Sequence, residues 1–503
     1  MKVLIYTASS LCNPQFGIQM ETAIEYSKRG DDVVFTHCSG VMSACSANFL
    51  QNEAICKLCG LGFKAGLRNL PKNVRIVKLL NPGDNNKYVW KFFKTIADIK
   101  AYCYRGVEVG FSVLSVYITK TRNPNPIIND IFLDCINKML KEAEYLIDAA
   151  DELIKREKPD LVIYFNGRFF DTKPFYNLAQ RYHINFLTTE NIGGVRANDE
   201  YRMVRFYNSI PFDANTTFKN CLDSWNKSTK SESEKIKIGS SFYEKRRNGM
   251  RAGDYVYTSN QIKGKLPECF NVDKKNVVIY CSSEDEFSSV SIQVDKMFIF
   301  KSQYDAIKYL AENINDNEYH FIVRIHPNMR NLDVDYHRNL YKLSNLKNIT
   351  VIAPEETVSS YTLMDVAYNI VLFGSTIGAE ALYWGKPVVL LGHADYYYWK
   401  MCSIPYNPKE LIDMVKNPIV YSGAKDMAIK YGYYFLNNSL SETAKYISIT
   451  PRKLNILGKQ VYIFDYLKFM GSSKLYKCIL GMYNKVIRKF YKNHIVYPDI
   501  IRN

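Results

Sequence analysis

The chain has 503 residues, 47% of them hydrophobic and 23% charged, which is the make-up of a soluble globular protein but too long for a single core, so two or three domains are expected. A formal charge of +16 favours anionic partners without choosing among nucleotide phosphates, nucleic acid and an anionic membrane. No stretch nears the ~18–20 apolar residues that span a bilayer. Met1–Ser9 reads as a strand and polar turn rather than a leader. A cytoplasmic location follows as an expectation, and the twelve cysteines are then thiols or metal ligands rather than disulfides.

Lys2–Ala8 reads as a buried strand, Phe16–Arg29 as a helix ended by Gly30, and Asp32–Thr36 as a second strand. This βαβ opening belongs to an open parallel sheet, and its turn lacks a GxGxxG fingerprint. Cys38, Cys45, Cys56 and Cys59 follow within 22 residues. The last two form a CxxC, and the set is a candidate for a closed, structural zinc site. The competing account is four reduced thiols packed as small apolar groups.

Lys87–Lys120 and Ile127–Glu157 read as two long helices. The strand Asp160–Phe165 ends in Asn166-Gly167-Arg168. After a helix over Asp171–Tyr182, the strand Ile184–Thr188 leads to Glu190 and Gly193-Gly194. Both turns leave the same edge of a parallel sheet, which brings Asn166, Arg168 and Glu190 toward one crevice.

Residues 213–251 are polar and charged and read as surface helix and connection. A new α/β run begins at Asn276–Cys281, which places the main boundary near residues 250–275. Three turns then follow strand ends: Ser282-Ser283-Glu284, Arg324 to Asn328 around His326, and Gly374-Ser375-Thr376 leading to Glu380. In a parallel sheet they converge on one cleft. A helix start with small residues and hydroxyls suits a phosphate, and His and Arg suit the charge that develops on a phosphate leaving group. Pro408–Lys416 and Ser441–Tyr446 carry helix signals. The tail over 451–503 holds eleven Lys/Arg against two Asp. Its aromatic-basic stretches Tyr462–Phe469 and Leu475–Tyr491 read as amphipathic helix, a candidate contact for anionic lipid.

The pieces SSEDEF (Ser282–Phe287), RIHPN (Arg324–Asn328), SSYTLMD (Ser359–Asp365) and GSTIGAEALYWGKPVVLLG (Gly374–Gly392) resemble the donor half of GT-B glycosyltransferases of bacterial capsule and surface-polysaccharide pathways. The turn Phe165–Arg168, Glu190 and the segment from Cys38 to Cys59 resemble the acceptor half. The pairing of His-Pro with Ser-Thr is similar to that of sialyl- and Kdo-transferases, although the acidic pair before Gly found in sialyltransferases is absent.

The resemblance implies two Rossmann-like domains facing across a cleft with a helical C-terminal tail: residues 1–250 for the acceptor, 251–425 for the nucleotide-sugar donor, and 426–503 as helices and tail. It implies that His326, Ser375 and Thr376 hold the donor phosphate with Arg324 nearby. Glu380 would hold ribose or sugar hydroxyls, with Ser282, Ser283, Glu284, Asn328 and Gly374 around the donor. Asn166 and Arg168 would face the acceptor, and Glu190 is the candidate general base, with Glu284 or Asp285 as its competitor. No cofactor is required for catalysis on this reading. The expected partners are a nucleotide-sugar and a glycan or lipid-linked acceptor, with an anionic membrane at the inner face of the plasma membrane meeting the tail. The rivals are a CDP-polyol phosphotransferase, a sugar-nucleotide epimerase, and a GT-B scaffold that only binds glycan. Nucleic acid is not expected, because Cys38–Gly60 carries only one Lys and one Glu.

Overall fold

The computed structural model describes residues 1–11, 15–38, 40–49, 51, 53–68, 70–79, 88–192, 202–252, 256–315, 317–437, 441–443, 450–456 and 459–465. Two compact units divide the chain. The first takes Met1–Thr121, Asn125–Pro211 and the described residues beyond 440; the second takes Arg122–Pro124 and residues 212–437. Both units are open α/β sheets, as expected from the sequence.

In the first unit the strands are β1 (Lys2–Thr7), β2 (Asp32–His37), β3 (Arg75–Lys78), β4 (Leu161–Phe165), β5 (Asn185–Ile192) and β6 (Arg202–Tyr207). β1 and β4 are apolar without alternation, because both faces of the sheet are covered. One face packs on helix α1 (Gln15–Lys28) through Phe16, Met20, Ala23 and Ile24. The other packs on the long helix Asp130–Glu157 through Leu146, Ala150 and Leu153. The sheet order is Ser441–Thr443, β6, β5, β4, β1, β2, β3. The chain therefore runs outward from β1 to β3 and returns to β4 on the other side of β1. The gap between β1 and β4 is the switch point where such sheets bind ligands.

Four expectations are corrected here. Lys87–Lys120 is two helices, Ile96–Ala101 and Val109–Thr121. Thr95 starts the first with a capping box to Asp98, and the chain reverses at Arg105-Gly106, both at positive φ. Glu190 lies inside β5 rather than after it, since antiparallel pairing with β6 extends the strand to Ile192. Ser441–Thr443 is a strand paired antiparallel to β6, not a helix. Beyond it, Thr450–Ile456 and Lys459–Asp465 pair antiparallel, so Tyr462–Asp465 is strand as well. Alternating β-branched and aromatic residues there outweigh the helical reading. The tail from residue 466, including Leu475–Tyr491, lies outside the described residues.

In the second unit the strands are β7 (Lys275–Tyr280), β8 (Tyr319–Arg324), β9 (Ile349–Ile352), β10 (Asn369–Leu372) and β11 (Val388–Leu390), all parallel, in the order β11-β10-β7-β8-β9. The switch point lies between β7 and β10. Residues 212–250 belong to this unit, upstream of the boundary expected near 250–275. Packing explains it: a Cβ on Gly239 would meet the Ile429 carbonyl at 2.2 Å, and Tyr243 donates to the Ala428 carbonyl at 2.6 Å. The helix Glu232–Arg247 is thus fitted closely to the helix Ala424–Leu436.

Candidate functional site

The switch point of the second unit is built from the three turns singled out in the sequence. Ser282, two residues beyond β7, donates its hydroxyl to the Gly374 carbonyl beyond β10, and its N–H donates to Gln303 Oε1 at 2.8 Å. Ser283 donates to Asn328 Oδ1 at 2.8 Å, which ties the β7 turn to the β8 turn. Asn328 in turn reaches Glu286 at 3.1 Å, and its Oδ1 lies 2.6 Å from His326 Nδ1. The structure therefore joins Ser282, Ser283, His326, Asn328 and Gly374 in one constellation.

Gly374 sits at φ +116°, and a Cβ there would meet the His393 carbonyl at 2.2 Å, so only glycine fits. Ser375 then caps the helix Thr376–Tyr383, accepting from the Ile377 N–H at 3.4 Å, with Thr376 as the first helical residue. The N–H groups of Ser375 and Thr376 at this helix start lie at the positive end of the helix dipole.

His326 titrates near 4. Desolvation is the larger cause, and the cations Arg324 and Arg122 add to it against the bond from Asn328. The ring is neutral at pH 7, and its edge meets Tyr257 with centroids 4.9 Å apart. Burial lifts Glu284 to about 7, while its Oε1 accepts from the Gln303 N–H at 2.7 Å.

Two expected ligands of the donor are occupied by the protein itself. Arg324 is buried and donates to the carbonyls of Ala353 at 2.7 Å and Glu356 at 3.1 Å, which pins the β9 turn. Glu380 is buried and paired with Arg246 Nε at 2.9 Å, and Tyr361 donates to its other oxygen. Sequence reading missed Arg246 and Tyr361. It missed Arg122 too, whose Nε lies 2.5 Å from Asp285 and whose Nη2 reaches Ser283 at 3.3 Å. Tyr336 completes that group by donating to Asp285 at 2.8 Å. Arg246 and Arg122 stand more than a hundred residues from their partners in sequence, and Tyr361 and Tyr336 reach theirs from separate elements, so no local spacing revealed them.

In the first unit a pocket of 360 Å³ lies over the switch point between β1 and β4. Thr7, Thr119, Asn166 and Glu190 line it. Asn166, held at positive φ, donates to Glu190 at 2.6 Å. Arg168 donates to Thr119 at 2.9 Å and lies over the Phe169 ring. The crevice expected for Asn166, Arg168 and Glu190 is thereby assembled, with Arg168 one layer behind the wall.

The four cysteines were expected as a candidate zinc set. Among the described residues no three His, Cys, Asp or Glu side chains converge as metal ligands. Cys56 accepts from Asn48 at 3.1 Å, and Cys59 accepts from the Ser10 N–H at 3.4 Å, so the CxxC thiols have separate partners. Burial pushes the Cys38 thiol up to about 11, away from the thiolate a metal needs. The donor set does not fit zinc as it stands.

Residues 244–403 match the family described as capsule polysaccharide biosynthesis protein. The matched segment contains every residue of the second unit's constellation, and it bears out the resemblance seen in the sequence. No curated protein matches the chain. Among solved structures, the β-Kdo 2,4 transferase KpsC of Thermosulfurimonas dismutans is 14% identical, over 61% of this chain and 85% of that one, with a TM-score of 0.36. The calicheamicin glycosyltransferase CalG4 is 12% identical over 87% and 94%, at 0.27. The UDP-GlcNAc 2-epimerase of Neisseria meningitidis, bound to UDP-GlcNAc, is 13% identical over 86% and 97%, at 0.26. Scores this low leave the chemistry to the residues themselves.

Proposed function

We propose that the protein is a metal-independent glycosyltransferase of GT-B type, moving a sugar from a nucleotide-sugar to a cell-surface polysaccharide or lipid-linked glycan. The single observation that carries the reading is the Ser282–Gly374–His326 constellation at the second unit's switch point, inside the segment matched to capsule-synthesis proteins.

The donor phosphate sits on the N–H groups of the first turn at Ser375 and Thr376, which stabilise the negative charge as the glycosyl bond breaks. His326 adds a proton to that site. It is neutral in the free protein, and an adjacent phosphate favours its charged form. Glu190 takes the proton from the acceptor hydroxyl in the first unit's pocket, with its carboxylate held by Asn166. Glu284 serves the β7 turn through Gln303 instead. The basic tail over 451–503 would draw the enzyme to anionic lipid at the cytoplasmic face. Among the described residues no helix is long and apolar enough to cross a membrane.

The test is a thermal-shift screen against UDP, GDP, CMP and CDP, followed by product analysis with the sugar donor of whichever nucleotide binds. A nucleotide at 100 times its Kd stabilises the protein by about 2.7 kcal/mol. Transfer of a polyol phosphate with release of CMP, or an epimerised sugar-nucleotide without transfer, would replace the glycosyl reading. Nucleotide binding without turnover on any donor would leave a glycan-binding scaffold.

A further inference from the structure

The first unit holds a second cavity, of 470 Å³, that the catalytic reading does not use. It lies over the C-terminal ends of β1, β2 and β3, on the far side of β1 from β4, and helix α2 (Glu53–Leu67) closes it. Ala8, Ser9 and Leu11 line both this cavity and the Asn166–Glu190 pocket, so the two adjoin along the segment that leaves β1. Their walls differ in kind. The first presents Thr7, Thr119, Asn166 and Glu190, whereas Met42, Ile55, Phe63 and Leu67, with the thiols of Cys38, Cys45, Cys56 and Cys59, face the second. Its rim reaches the surface at Ile76, which is 47% exposed, and at the exposed cations Lys64 and Lys78.

From this juxtaposition we infer that the two cavities take one amphipathic acceptor, its glycosyl end at Asn166 and Glu190 and its apolar chain between α2 and the ends of β1 and β2. The inference rests on the proposed transferase function and narrows it: the acceptor carries an alkyl- or acyl-type chain rather than being a free sugar or a wholly polar glycan. Both volumes fall within the range of small-ligand sites. A polar head alone would leave the second cavity's apolar wall against water, and an apolar chain removes that cost at about 0.8 kcal/mol per methylene. The cysteines then have a role that needs no metal, as small, polarisable wall groups that admit a chain.

The experiment measures binding of glucose and of hexyl, octyl and decyl β-D-glucosides to the full-length protein by calorimetry, below their micellar concentrations. Affinity is expected to rise roughly three- to fourfold per methylene and then flatten once the cavity is full. The variant Gly60→Trp supplies the control. Gly60 lines the cavity on α2, and a Cβ built there meets no atom within 4 Å, so a side chain can be introduced at this wall without displacing the backbone. It should abolish the chain-length dependence while leaving nucleotide binding at the second unit unchanged. Asn166→Ala should weaken every glucoside by a similar factor. An affinity independent of chain length overturns the inference, and so does a dependence that survives Gly60→Trp. Alkyl phosphates and fatty acids that bind as tightly as the glucosides would overturn the joint occupancy. Absence of nucleotide binding would defeat the transferase reading separately, since these measurements involve no donor.

Discussion

The hydroxyl of Ser282 donates to the carbonyl of Gly374, which joins the ends of β7 and β10 across the second unit's switch point. It holds the turn so that the next residues, Ser375 and Thr376, open their helix with free N–H groups. Gly374 cannot carry a side chain, since a Cβ would press on the His393 carbonyl. Gly374→Ala should lower stability by roughly 3 kcal/mol from strain and collision, and abolish nucleotide binding. Denaturant unfolding and calorimetry measure the two effects; a stable variant with intact binding would show that the turn is not the phosphate site.

His326 titrates near 4 in the free protein. A bound phosphate stabilises the imidazolium and raises that value, so binding takes up a proton and tightens as pH falls from 8 toward 5. Nucleotide affinity should rise over that range in the wild type and rise less in His326→Gln. The variant subtracts the titration of the phosphate itself. Parallel curves for the two proteins would remove His326 from the site.

Glu380 and Arg246 form a buried pair whose loss should be measurable without any ligand. Glu380→Gln leaves the Arg246 guanidinium buried without its counter-charge and should cost about 3–5 kcal/mol. The double variant Glu380→Gln, Arg246→Met should recover part of that loss. If Glu380 instead served the ribose of the donor, Glu380→Gln would weaken nucleotide binding while stability stayed within about 1 kcal/mol of wild type.

Glu284 is lifted to about 7 by burial, above the ordinary carboxyl range. The unfolded chain therefore gives up this proton first, and folding loses stability as pH rises from the ordinary glutamate value toward 7. The loss amounts to at most about 3 kcal/mol above pH 7. Glu284→Gln keeps an oxygen for the Gln303 N–H and removes the charge. Its melting temperature should exceed that of the wild type at pH 8 and match it at pH 5. Equal pH profiles would show that the carboxylate is solvated.

What the sequence made legible was local. Continuous apolar runs such as Val277–Tyr280 and Ile370–Leu372 marked strands buried on both faces, and the residues just beyond them had to fall on one edge. Ser282, His326 and Gly374 were found that way. Glu190 was found too, but its strand was read too short, because pairing with β6 is a non-local event. The partners of Glu380 and Arg324 were invisible for the same reason: Arg246 and the Ala353 carbonyl arrive through the packing of separate elements. The spacing of the cysteines pointed to a metal, but the hydrogen bonds that Cys56 and Cys59 accept from Asn48 and the Ser10 N–H are non-local and were not legible in it.

The strand Ser441–Thr443 closes the outer edge of β6, yet it is synthesised about 230 residues after it. On a ribosome adding ~5–20 residues per second, β6 waits on the order of ten to fifty seconds with its hydrogen-bonding edge uncovered. During that interval the second unit is being made, and an open strand edge is a template for pairing with another chain. A nascent chain stalled or truncated before residue 441 should therefore aggregate through β6, which makes the last residues of the first sheet a checkpoint on complete synthesis.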